Sequence, residues 1–150
     1  MNLRRLYATA LDISKLSKDP STKIGALIVG DDGEGGPWGF NGAPRKCKAD
    51  EVGDPRGERP EKYFWFEHAE RNAIYAAARS GYSTSGRTMI VTHPPCMDCA
   101  RAIVQAGFKS VIILTNDEDF LSRWKDHAER ALVLFEECGV NVLIENYLHE

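Results

Sequence analysis

Two short stretches, His68-Ala69-Glu70 and Pro95-Cys96-Met97-Asp98-Cys99, hold side chains of the right types and spacing to bind a metal and move protons. One imidazole and two thiolates are three ligands suited to Zn²⁺, at roughly 2.0–2.3 Å per bond. They leave the fourth tetrahedral position open to water, as a catalytic zinc requires. Zinc draws the pKa of such a water down toward about 7, which makes hydroxide available at neutral pH. Glu70, close behind the His ligand in sequence, is placed to take a proton from that water and hand it on. Neither stretch is specific alone. Cys-x-x-Cys also serves thioredoxin-type redox pairs and structural zinc sites, and His-x-Glu is common. The two together, with a proline ahead of the first Cys and each at the start of a predicted helix, are far more specific.

The elements that must position these residues follow from apolar spacing. Leu3, Leu6, Tyr7, Ala10, Leu11 and Ile13 recur at helical intervals over residues 3–16, and Asp19-Pro20-Ser21 breaks the run. Residues 24–29 are short, apolar and rich in branched side chains, as a buried strand is. Gly30 to Gly36 is a turn region, with a hairpin strand expected over Trp38 to Asn41. Ala43 to Lys62 is polar, with three prolines, and reads as a long loop; between Arg45 and Lys62 basic residues are interleaved with Asp50, Glu51, Asp54, Glu58 and Glu61, so the stretch reads as solvated. The spacing then predicts helices over His68–Ser80, Cys96–Ala106 and Leu121–Cys138, each closed by a glycine. Strands are predicted over Thr88–Thr92, Ser110–Leu114 and Val140–Ile144. Both chemical stretches open a helix, where backbone N–H groups and the helix dipole favour thiolates and anionic intermediates. One helix, two strands and three helix–strand units imply a three-layer α/β/α domain over residues 1–150, its central sheet covered by helices on both faces.

Composition narrows the function classes. The sequence is 43% hydrophobic and 27% charged, with no apolar run near the roughly 20 residues that span a bilayer. The opening Met1-Asn2-Leu3-Arg4-Arg5 lacks a secretory core, so the cytoplasm is expected, and four cysteines there are not a disulfide framework. A net charge of −3 offers no attraction to polyphosphate surfaces, which argues against a nucleic-acid partner. Cys138, ending an apolar helix, reads as a buried core thiol. Cys47 could join His93 at a second metal, but third and fourth ligands are lacking, and an ordinary loop thiol is the expectation. His127 and His149 read as solvated histidines.

The joint pattern His-x-Glu and Pro-Cys-x-x-Cys is the signature of zinc nucleobase deaminases, in which the glutamate protonates the ring nitrogen and helps the amine leave as ammonia. Beyond it, residues 17–26 (Ser-Lys-Asp-Pro-Ser-Thr-Lys-Ile-Gly-Ala), 39–45 (Gly-Phe-Asn-Gly-Ala-Pro-Arg), 68–74 and 95–100 together resemble the deoxycytidylate (dCMP) deaminase family. The resemblance covers roughly Leu3 to Leu114. It implies a cytidine-deaminase-like fold with a five-stranded mixed sheet, one zinc held by His68, Cys96 and Cys99, and Glu70 as the catalytic residue. It implies conversion of dCMP to dUMP, a homo-oligomer (commonly a hexamer), activation by dCTP, with Mg²⁺ on the effector, and inhibition by dTTP.

By the same resemblance Asn41 contacts the sugar, and Ala69 and Pro95 lie against the substrate. Gly39 and Gly42 are expected at the effector. For the 5′-phosphate the candidates are Ser21, Thr22 and Lys23, then Arg45 and Lys46, then Arg123 with Trp124; Lys23 and Arg45 rank first. Phe64-Trp65-Phe66 and His93-Pro94 depart from the family's usual residues. The aromatics could form a stacking wall or pack an oligomer core, and they leave a 5-substituted dCMP open as substrate. Three other functions share part of the signature. A tRNA adenosine deaminase needs a basic tract, whereas the tail here is acidic. A silent zinc module has no use for Glu70. A riboflavin-pathway deaminase shares only the zinc ligands.

Overall fold

The computed structural model describes residues 1–115 and 120–147. Helix α1 (Leu3–Ser14) starts at Asn2, whose side chain accepts from the Arg5 N–H at 3.2 Å. Strand β1 (Gly25–Val29) is buried throughout and pairs antiparallel with β2 (Gly35–Phe40). β2 begins earlier than the sequence suggests. Gly35 and Gly36 read as turn residues, yet the pairing runs on past an irregularity to Val29 opposite Gly35. The long loop holds two 3₁₀ turns, Lys48–Asp50 and Pro55–Gly57, and closes with a one-turn helix, α2 (Lys62–Trp65).

Then follow α3 (Ala69–Ser80), β3 (Thr88–Val91), α4 (Met97–Gln105), β4 (Ser110–Thr115), α5 (Phe120–Glu137) and β5 (Asn141–Asn146). The sheet order is β2-β1-β3-β4-β5, antiparallel across β2, β1 and β3 and parallel from β3 to β5. This is the five-stranded mixed sheet expected, with helices on both faces.

Strand alternation sorts the core into two layers. Leu27, Val29, Ile90, Ile112 and Leu114 pack with Ala10 and Ile13 of α1 on one face. Ala26, Ile28, Met89, Val91 and Val111 face the other way, against Ala73 and Ala77 of α3, Ile103 of α4 and Phe135 of α5.

Two glycines set how closely helices approach the sheet. A Cβ on Gly25 would lie 2.2 Å from the Ala10 carbonyl oxygen of α1, and one on Gly39 would lie 2.5 Å from the Ala73 backbone nitrogen of α3. Gly39 is therefore where α3 rests on β2, which seats the N-terminus of α3 at the end of the sheet. Among the described residues no helix is long and apolar enough to cross a membrane. Cys138 is exposed, contrary to the core role expected of it: it follows the last turn of α5 on the solvent side, while Phe135 takes the core position.

Candidate active site

His68 and Cys96 occupy the same structural position in two different helices. Each is the extended residue that precedes a first turn, His68 before α3 and Cys96 before α4, and neither uses its side chain to cap the helix. The imidazole and the thiol are thereby left to face each other. Cys99 lies in the first turn of α4 and is fully buried. His68 Nδ1 stands 3.4 Å from Cys96 Sγ and 3.4 Å from Cys99 Sγ, and all three ligand atoms lie within 4.8 Å of one another. A tetrahedral ion with Zn–N and Zn–S bonds has ligand-to-ligand edges of about 3.5–3.8 Å. One nitrogen and two sulfurs at this spacing fit Zn²⁺, and among the described residues this is the group of three such side chains able to hold a metal.

The electrostatics favour the thiolate form that a metal needs. The Cys99 thiol, then the His68 ring, hold Cys96 down to about 3 against the opposing effect of burial. Cys99 is pushed up, first by its hydrogen bond to Cys96 and then by burial. His68 is raised by its contact with Cys96. Glu70 is buried at 3% exposure, and burial pushes its carboxyl up to about 7. An acid near neutrality is suited both to accept and to return a proton.

An ion-pair chain fixes the two ligand helices to each other. Glu67 Oε1 accepts from the His68 N–H at 3.0 Å and from Arg71 at 2.6 Å, and Arg71 reaches Asp98 of α4 at 3.7 Å. Glu67 also pairs through its backbone with Gly42, at 3.0 and 2.7 Å. Gly42 thus ties the segment after β2 to the one that carries His68.

His68 and Cys96 open into a cleft of about 490 Å³ lined also by Thr22, Lys23, Glu70, His93, Pro94 and His127. A neighbouring cavity of about 260 Å³ shares Thr22, Ile24, His68 and His93 and is walled by Asn41, Arg59, Tyr63 and Phe66. Spaces of this size suit a small molecule.

The model of the cytidine and deoxycytidylate deaminase zinc-binding region matches residues 1–115. The chain belongs to this deaminase family. It is 37% identical over 139 residues to the deaminase in the luxG 3'region of Aliivibrio fischeri, covering 93% of this chain and 90% of that one. To the deoxycytidylate deaminase of Homo sapiens it is 34% identical over 136 residues, 89% of this chain and 73% of that protein. The dCMP deaminase of cyanophage S-TIM5, solved in complex with dCMP and dUMP, superposes with a TM-score of 0.74 at 27% identity over 95% of both chains.

Within this deaminase the remaining expected residues divide. Asn41 lines the 260 Å³ cavity, and its amide is bonded to the loop before β1. Its Oδ1 accepts from the Ile24 N–H at 2.9 Å, and its Nδ2 donates to the Thr22 carbonyl at 2.8 Å and to Asp19 at 3.4 Å. Lys23 lines the cleft, with its ammonium donating to the Ser17 carbonyl. Ala69 and Pro95 are buried beside the ligands and line neither cavity; Pro94 reaches the cleft instead.

Arg45 does not join the site. The turn from Pro44 to Cys47, with Lys46 at φ 68°, carries it to a separate cavity of about 320 Å³ that also meets Gly39 and Gly42. Of the aromatic lead-in, Phe66 reaches the cavity beside His68 while Phe64 is 81% exposed. Cys47 precedes the Lys48–Asp50 turn without capping it through its side chain, and His93 lines the cleft. His149 and the side chains of Arg123 and Trp124 lie outside the described residues.

Two residues were missed. Lys62, read as part of a solvated stretch, is buried and ion-paired with Asp19 at 3.1 Å. Asp19 also accepts from the Ser21 and Thr22 N–H groups at 2.8 and 3.2 Å, so this pair shapes the loop that lines the cleft. His127, read as a solvated histidine, lines the cleft and accepts at Nδ1 from the Met97 N–H at 3.2 Å. Its place on α5 carried no local signal, because it depends on how α5 docks on α4.

Proposed function

We propose that this chain deaminates dCMP to dUMP with release of ammonia, using one Zn²⁺ held by His68, Cys96 and Cys99. The observation that carries the reading is the buried carboxyl of Glu70 on the same cleft as His68 and Cys96, two of the three residues of the metal-ligand group. The human relative named deoxycytidylate deaminase and the dCMP- and dUMP-bound cyanophage structure support the substrate.

A bound Zn²⁺ would supply Lewis acidity that makes water acidic enough to act as a nucleophile near neutral pH. Glu70 takes one proton from the attacking water and delivers it to N3 of the pyrimidine as the oxygen bonds to C4. Its carboxyl then carries the second proton to the exocyclic amine, the C4–N4 bond breaks, and ammonia and the uracil ring are left. The cavity walls of Asn41, Tyr63 and Phe66 hold the nucleotide beside His68.

The reading extends to one domain over residues 1–150 and to a cytoplasmic homohexamer. It includes activation by dCTP with Mg²⁺ and inhibition by dTTP. The 320 Å³ cavity that Arg45 shares with Gly39 and Gly42 is the place it assigns to an effector, since it shares no lining residue with the 490 Å³ cleft. The test offers zinc-loaded protein dCMP, 5-methyl-dCMP and tRNA, with ammonia as the readout. Ammonia and dUMP in equal amounts from dCMP are expected. Turnover of tRNA adenosine without turnover of dCMP would replace the reading.

A further inference from the structure

α5 brings to the cleft a group that the roles above leave unused. His127 lines the same 490 Å³ space as Ser21, Thr22, Lys23, His68 and Glu70. Its Nδ1 accepts from the N–H of Met97, the first residue of α4. An imidazole that accepts at Nδ1 carries its proton on Nε2, so the ring is held in one tautomer with a donor on its far side. Among the described residues no other group hydrogen-bonds to this exposed ring. The lining around it supplies an ammonium from Lys23 and hydroxyls from Ser21 and Thr22. An N–H donor, a cation and hydroxyls are the groups that phosphoryl oxygens take.

We propose that His127 donates from Nε2 to the 5′-phosphate of the substrate, making α5 the source of a contact that separates nucleotide from nucleoside. The inference rests on the nucleotide reading above. The Met97 bond gives the contact its rigidity. The backbone that orients the His127 ring belongs to the helix that presents Cys96 and Cys99, so phosphate and metal site share one frame.

The test measures kcat/KM on dCMP and on deoxycytidine for zinc-loaded wild type, His127→Asn and His127→Gln. Asn keeps an acceptor where Nδ1 stands and removes the Nε2 donor, whereas Gln restores a donor near the Nε2 position. For His127→Asn we expect a roughly ten- to hundredfold loss on dCMP, carried by KM, from the lost bond to a charged group. Deoxycytidine turnover and zinc content stay unchanged, and His127→Gln recovers part of the dCMP loss. Inhibition by dUMP against deoxyuridine gives the same ratio where nucleoside turnover is too slow to follow.

Equal losses on nucleotide and nucleoside, or loss of zinc, would make His127 a support for α4 alone and overturn the proposal. Unchanged discrimination in His127→Asn would overturn it as well. A wild-type enzyme that handles deoxycytidine as well as dCMP would fail at an earlier step, sinking the nucleotide reading and this contact with it.

Discussion

Replacing Lys62 with Met would remove one half of a buried ion pair and leave the other half in place. The ammonium and the Asp19 carboxylate are only 8% and 5% exposed, so solvent does little to screen the loss. Deleting one partner of such a pair costs about 3–5 kcal/mol, because an uncompensated charge stays buried. Asp19 keeps the Ser21 and Thr22 N–H groups, which places the expected cost near the low end, about 3 kcal/mol. For a chain of this size that is a fall of about 6–12 °C in Tm.

The pH dependence follows the same carboxylate. Burial pushes Asp19 up, but the Ser21 N–H, Lys62 and the Thr22 N–H together outweigh it and hold the group below its usual range. A carboxyl depressed in the folded state stabilises fully above its unfolded value of about 3.9 and ceases to as pH falls through the folded value. Lys62→Met removes one of those holds and raises the folded value, so less stability depends on the ionised carboxylate, and the deficit relative to wild type should be largest near neutral pH and narrow as pH falls below about 4. Thermal melts from pH 3 to 7 of Lys62→Met, Asp19→Asn and the double variant measure both effects. A double variant that loses the sum of the two single losses, or a Lys62→Met protein that melts with wild type, would refute the coupling.

Cys96→Ala should lose both metal and activity, since two ligands remain of three; a full zinc complement by metal analysis would contradict the ligand assignment. Gly39→Ala should destabilise by about 1–3 kcal/mol whether or not dCTP is present, because its Cβ would meet the α3 backbone at 2.5 Å. Normal stability in urea with only the effector response lost would instead make Gly39 a ligand contact.

The metal group was legible because each half of it is local. The His-x-Glu and Cys-x-x-Cys spacings bring their members onto one helix start, and only the approach of two helices was left to tertiary structure. The central strands were equally plain, being apolar runs buried on both faces. What escaped depends on long-range placement. Asp19 and Lys62 are 43 residues apart, and the acidic neighbours of Lys62 made it look solvated. Arg45 sits beside the right motif, but one tight turn sends it to another cavity. His127 and Cys138 both depend on the rotation of α5, which buries Phe135 and Ala131 and so fixes which residues face the cleft and which face solvent. The start of β2 was hidden because glycines that signal a turn can also pair across an irregular ladder.

The most direct test of the central claim is Glu70→Gln, assayed in parallel for zinc content and for dUMP formed from dCMP. The account predicts a full zinc complement, since the ligand atoms are untouched, and a loss of turnover of about two to four orders of magnitude as proton transfer is removed. Substantial residual turnover, with zinc in place, would contradict it.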